Sequence, residues 1–260
     1  MPLQQGDLES LKAAKNLLEN PGIAAKLSAV VGSPVEKGIK MLPKRIQGSV
    51  HKATQSALMK ALDLAVSSLG KKGLDQPSHN RIHKLAAAAS GAAGGAFGIA
   101  ALAWELPIST TLMLRSIADI AAAEGHDPRH LDTKLDCLLV FGLGAEGDAD
   151  NPAESGYFAA RTALATAVSE AAKHLAKKGI TSGSAPALVR LVTLIGARFG
   201  VVVSEKAAAQ AIPIIGAAGG ALINTIFIGH YQDMARGHFI VRRLEKIHGA
   251  EPVRLAYSRL

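Results

Sequence analysis

The same six residues, Gly-Ala-Ala-Gly-Gly-Ala, occur twice in this chain, at 91–96 and at 216–221, each inside a long stretch without charge. On a helix, 100° per residue places Gly91, Gly94, Gly95 and Gly98 along one stripe, and Gly216, Gly219 and Gly220 along another. Such stripes carry the GxxxG spacing and leave almost no side chain, so the backbones of two helices can approach closely along them. The remaining composition agrees with helices. Of the 260 residues 48% are hydrophobic but only 4% are aromatic, whereas strands favour β-branched and aromatic residues. The expected fold is all-α, a helical bundle with two glycine-rich central helices, with a membrane-embedded or membrane-associated setting and a soluble one left open.

The glycine runs are also the places to ask about membrane crossing. The uncharged stretches 86–104 and 207–229 are long enough to span a bilayer. Ala and Gly contribute little to insertion, and the first run has only Phe97, Ile99, Leu102 and Trp104 as strongly apolar members. The second, with Ile212, Ile214, Ile215, Leu222, Ile223, Ile226, Phe227 and Ile228, is the better candidate. Burial of both runs within a bundle is the competing reading.

Punctuation residues divide the rest. A short amphipathic helix is expected over 7–19, stopped by Asn20-Pro21-Gly22, and a second over 46–69, ended by Gly70. The second presents Val50, Ala57, Leu58, Ala61, Leu62, Ala65 and Leu69 on one face. A third helix begins near Arg81 and enters the first glycine run; Pro107 is expected to kink or end it, because proline removes a backbone donor and crowds the preceding turn. Further helices are expected over 109–124, 157–178 and 188–206, with an apolar stretch over 132–141. The last long helix spans 214–248, with Gly249 and Pro252 as its stop. The acidic, glycine-rich segment 142–156 reads as a disordered excursion between two halves. The organisation expected is a basic N-terminal helical segment, 1–80, and a helical domain, 81–260, forming one structural unit.

Charge is polarised along the chain. The formal net charge is +8, with nine Lys/Arg against four acids in 1–60, six against two in 236–260, and two against eight in 124–154. Basic ends suit an anionic surface, and the plain alternative is a set of solvated helix faces. An anionic membrane surface or a membrane protein is the expected partner. Specific nucleic-acid binding is not, because the basic segments lack interleaved aromatics for stacking. The lone cysteine, Cys137, excludes an internal disulfide framework and a cysteine-based zinc cage. No secretory apolar core is legible in the first twenty residues, so the expected location is cytoplasmic, at the inner membrane where attached.

No hydrolase elbow, zinc-protease helix or phosphate loop is present. Gly142-Leu-Gly144-Ala-Glu-Gly147 matches a dinucleotide fingerprint, but Asp148, Asp150 and Asn151-Pro152 follow where a helix N-terminus should hold phosphate. No cofactor is expected. Continuing each glycine stripe brings Glu105 onto the first and His230 onto the second, each fourteen residues after its first glycine. If the helices ran parallel, carboxylate and imidazole would approach as a proton-handling pair or half a metal site; local bracing of Pro107 by Glu105 is the structural alternative. His238 and Arg242 share a face at i, i+4, and Asp233 lies on another. The candidate catalytic residues are therefore Glu105, Asp119, His230, Asp233 and His238, for a site that only the fold could assemble. A metal, a small-molecule ligand and the oligomeric state are undetermined.

Two longer stretches resemble a known family. GAAGGAFGIAALAWELPISTTLMLRSIADIAAAEG, at 91–125, resembles the central signature of the EcsC protein family, and RFGVVVSEKAAAQAIPIIGAAGGALINTIFIGHYQDMARGHFIVRRLEKIHG, from Arg198, resembles its C-terminal signature. The intervening LDCLLVFGLG fits as well, whereas 1–80 and 146–154 match least. The resemblance implies a membrane-linked setting through an operon shared with an ABC transporter, and no established activity. Some relatives carry a peptidase label, for which this chain shows no motif. The expected function is that of a membrane-associated accessory or interaction protein; the alternative is a peptidase-like hydrolase using the Glu, Asp and His residues above.

Overall fold

The computed structural model describes residues 3–19, 22–32, 34–35, 39, 44–68, 102–145, 156–178, 185–210 and 216–260. Among these the chain is all helical: α1 (Gln5–Glu19), α2 (Ile23–Val31), α3 (Lys44–Ser68), α4 (Leu102–Ala123), α5 (Leu131–Leu139), a 3₁₀ turn (Val140–Gly142), α6 (Gly156–Lys178), α7 (Pro186–Gln210), α8 (Gly216–His248) and α9 (Ala250–Arg259). The first glycine run with Gly91, Gly94, Gly95 and Gly98, the helix expected from Arg81, and the acidic residues 146–155 lie outside the described residues. So does the question whether the two glycine stripes touch.

The second run opens α8, where Gly219 is half-buried and Gly220 buried. α8 is the helix around which the others assemble, packing against α1, α2, α4, α7 and α9. Its apolar residues are spread round the circumference, with Ile223, Phe227, Ile228, Tyr231, Met234, Ala235, Phe239, Val241 and Leu244 all buried, as a helix enclosed on several sides requires. The few aromatics are concentrated here. Phe141, Phe199, Phe227 and Tyr231 form one cluster with ring centroids 5.2–6.0 Å apart, the spacing at which edge-to-face and offset pairs are favourable.

α1 shows how sequence spacing becomes packing. Leu11, Ala14 and Leu18, at i, i+3 and i+7, are buried, and each leucine contributes about 1.5–3 kcal/mol by leaving water. The stripe lies on α8 at Gly237, where a Cβ would stand 2.6 Å from Leu18 Cγ and 3.0 Å from the Ala14 carbonyl oxygen. This glycine, outside the repeat, lets the backbone of α1 approach α8 closely. In α3 the expected face holds: Val50, Ala57, Leu58, Ala61, Leu62 and Ala65 are buried against α4 and α7.

Several boundaries differ from expectation. α2 is an additional helix, closed by Gly32, that the cluster of breakers after it obscured. Pro107 does not end α4, which runs through it. Hydroxyls bond the carbonyls around the proline: Ser109 Oγ donates to the Leu106 oxygen at 3.1 Å and Thr111 Oγ1 to the Pro107 oxygen at 2.9 Å. The stop at Gly249 is only a turn, with φ of +91°. Helix α9 follows immediately because Pro252 occupies its first turn, where no backbone donor is required. The apolar run 207–229 is divided between the end of α7 and the start of α8. Among the described residues, the helix long and apolar enough to cross a membrane is instead Pro186–Gln210, of whose most apolar stretch 44% is buried.

Candidate functional site

Two buried polar assemblies organise the bundle. The first joins the start of α4, the end of α7 and the first turns of α8. Lys206 Nζ lies 2.9 and 2.7 Å from the two Glu105 carboxylate oxygens and 2.8 Å from Asn224 Oδ1, and 4.5 Å from the centre of the Phe227 ring. Lys206 is 0% exposed and Glu105 1%. Burial pulls the Lys206 ammonium below its usual value while Glu105 works to restore it. The three acceptor atoms together with the aromatic face give the cation a complete set of neighbours, the condition for tolerating a buried charge.

The second is a closed ring of six side chains from α5, α6 and α8. Arg161 clamps Glu245 through both guanidinium nitrogens, at 2.8 and 3.0 Å, and also donates to Tyr157 Oη at 3.2 Å. Tyr157 Oη lies 2.9 Å from His238 Nδ1. His238 Nε2 stands 3.8 Å from Asp136 Oδ1, too long for a hydrogen bond. Arg242 closes the ring, donating to Asp136 Oδ2 at 3.0 Å and to Glu245 Oε2 at 3.2 Å. Arg161 can only donate, so His238 Nδ1 is the acceptor within reach of the buried Tyr157 hydroxyl proton among the described residues, which places the His238 proton on Nε2, facing Asp136. Burial lowers the His238 pKa against the pull of Asp136, so the ring is neutral at physiological pH and two cations match two anions. Burial also opposes ionisation of Asp136, but the His238 Nε2–H facing it and the Arg242 guanidinium outweigh it and hold the carboxyl at about 2.

This ring backs an open cavity of about 550 Å³ lined by His126, Asp127, His130, Asp132, Asp136, Arg242, Glu245 and Lys246, with Gly125, Thr133 and Ala250 completing it. His126 Nε2 lies 3.1 Å from the Phe239 carbonyl oxygen. A carbonyl only accepts, so Nε2 carries the proton. Among the described residues no three His, Cys, Asp or Glu are grouped to hold a metal ion.

The chain's family model matches residues 5–244, under the description EcsC protein family. The chain belongs to the EcsC family. No curated protein and no solved structure matches it. The match takes in the N-terminal helices as well as the two signatures, so the EcsC pattern extends to α1, which packs on α8.

In this EcsC chain the five candidate residues hold separate posts. Glu105 is taken by Lys206, not by His230. Asp119 is half-buried on α4. Asp233 lies 3.6 Å from Lys26 Nζ and 3.9 Å from Arg236, pinning α2 to α8. His238 belongs to the ring behind the cavity. His230 is eight residues, about 12 Å of helix rise, from His238, and its ring presses on Gly144, where a Cβ would lie 2.6 Å from Nε2. Gly144 has φ of +72°, so both its backbone and its surroundings demand glycine. Cys137 is buried, which pushes its thiol well above the usual value and away from nucleophilic use.

The residues that sequence reading missed are Lys206, Asp136, Tyr157 and Arg161. Lys206 had a signal in its place at the edge of the uncharged stretch 207–229. Asp136 had one in its i, i+4 spacing from Asp132 on a helix otherwise apolar on that side. Tyr157 and Arg161 had none, since their partners are 81 and 84 residues away.

His230 yields a pH prediction. Burial, with Lys26 adding to it, lowers its pKa from 6.5 to about 3. A histidine with a depressed folded value takes up its proton on unfolding, so the stability it confers is complete above pH 6.5 and lost as pH falls toward 3. Between pH 7 and 5 the wild type is expected to lose about 2 kcal/mol more than His230→Gln, measured by urea unfolding at both pH values. Parallel losses in the two proteins would show that His230 titrates normally.

Proposed function

We propose that this EcsC-family protein is a non-catalytic accessory that attaches to the inner, anionic face of a membrane through the outer side of α7. The observation that carries this is the surface of that helix. Its exposed positions are Pro186, Val189, Arg190, Thr193, Leu194, Ala197 and Val201, so over these 16 residues Arg190 is the one exposed charge, Arg198 being half-buried and bonded to the Gly142 carbonyl. Val189, Leu194 and Val201 are 44, 37 and 42% exposed. α6 runs beside it, tied by Arg190 to Glu170 at 3.0 Å, and Lys173, Lys177 and Lys178 are exposed on the last turns of α6, toward the same end. An apolar face with a basic margin is the pattern of a helix lying at a headgroup boundary. The catalytic alternative lacks comparable support, since Glu105, Asp233 and His238 are each engaged by another side chain.

Flotation of the full chain with phosphatidylglycerol-containing vesicles and with pure phosphatidylcholine vesicles tests the reading. Binding is expected to the first and to be lost in Val189→Asp/Leu194→Asp/Val201→Asp, whose substitutions fall on exposed positions and leave the unfolding midpoint intact. Replacing the three lysines by Gln is expected to weaken binding about a hundredfold, on about 1 kcal/mol per basic residue near an anionic surface. A wild-type chain that fails to float at low salt, or a triple-Asp chain that floats equally, rejects it.

A further inference from the structure

The cavity beside the ring of side chains around His238 contains one unmatched charge of each sign. Three of its four carboxylates are already engaged. Asp127 accepts from Arg129 at 2.7–3.0 Å, Asp136 from Arg242, and Glu245 from Arg161 and Arg242. Asp132 and Lys246 remain. Both are exposed and neither has a hydrogen bond or ion pair among the described residues.

Their placement follows from helical periodicity. Asp132 precedes Asp136 by one turn on α5, and Lys246 follows Arg242 by one turn on α8. The Asp136–Arg242 bridge joins those helices, and Asp132 and Lys246, each one turn further along its own helix, both line the cavity without pairing with each other. Two further groups are uncommitted at this wall. His126 gives its Nε2 proton to Phe239, leaving Nδ1 as an acceptor, and burial keeps the ring neutral by lowering its pKa. Arg242 uses Nε and Nη1 within the ring, leaving Nη2 as a donor.

From this geometry we propose that the cavity binds a small zwitterion, a primary ammonium joined by a short linker to a carboxylate or phosphate. The ammonium donates to Asp132 and His126 Nδ1; the anionic end accepts from Lys246 and Arg242 Nη2. A molecule charged at one end only would leave the other charge of the cavity lining without compensation, which costs affinity. The two sources of such chemistry are a free solute and the zwitterionic headgroup of a lipid. Neither depends on the α7 face, so this inference and the membrane reading fail separately.

Calorimetric titration of the full chain with glycine, γ-aminobutyrate and O-phosphoethanolamine tests it, with ethylamine and inorganic phosphate as singly charged controls. At least one of the three zwitterions is expected to bind one to one, about tenfold or more tighter than either control. Asp132→Asn and Lys246→Met are each expected to weaken it about tenfold with the unfolding midpoint unchanged, and the triple-Asp α7 variant is expected to bind as the wild type does. Competition by phosphatidylethanolamine vesicles assigns the headgroup source, and its absence assigns the solute. Absence of binding by all three zwitterions, equal affinity for a control, or indifference to both substitutions overturns the proposal.

Discussion

Lys206→Met is expected to lower the unfolding free energy by about 3–5 kcal/mol. Methionine matches the lysine stem in volume, so the loss does not come from a cavity. It comes from the Glu105 carboxylate, 1% exposed, which loses the cation that holds both its oxygens and must either stay ionised without compensation or take up a proton. Asn224 Oδ1 loses the same donor, and Phe227 loses the ammonium over its ring. Glu105→Leu/Lys206→Met removes both charges and is expected to recover most of the loss, because a buried ion pair and a well-packed apolar pair differ little in net stability. Urea unfolding of the wild type and the single and double variants measures this. A Lys206→Met loss below about 1 kcal/mol would place the pair in solvent contact, where such bridges contribute little.

Gly237→Val is expected to separate α1 from α8. A Cβ at this position meets Leu18 Cγ at 2.6 Å and the Ala14 carbonyl oxygen at 3.0 Å, and the second of these is backbone, which cannot rotate away. Gly237→Ala is expected to cost about 1–3 kcal/mol as overpacking, partly offset by the better helix propensity of alanine, about 1 kcal/mol. Valine adds two methyl groups to the clash and also exposes Leu11 and Leu18 if α1 lifts. Limited proteolysis supplies the specific readout, since cleavage within 3–19 should accelerate in the order wild type, Ala, Val while the rest of the chain stays protected. Equal protection in all three proteins would mean that the helices slide past each other at little cost.

These two sites mark different depths of legibility in the sequence. Glu105 stood out because it ends an uncharged run, but its partner was expected on the other glycine stripe, at His230. The structure gives it Lys206 instead, 101 residues away, because the end of α7 and the start of α8 meet beside α4. The His238–Arg242 pair was legible from i, i+4 spacing alone. What the two residues point at was not, because Asp136 comes from α5, more than 100 residues earlier, and spacing within one helix carries no information about the helix packed against it. Gly237 shows the same limit from the opposite side. Nothing around it resembles a small-residue motif, yet the register of α1 on α8 makes it a point of close approach.

The sequence by itself determined the helical class, most helix positions, the buried face of α3, the polarised charge and the family signatures. Each of these depends on local periodicity, breaker residues or composition, which act over a turn or two of helix. The tertiary structure decided which cation neutralises Glu105, the closed ring around His238, the unmatched charges of the cavity, and the exposure of the α7 face. Those are properties of burial, and burial is set by which helices pack together and in what register, a choice made by the whole bundle at once.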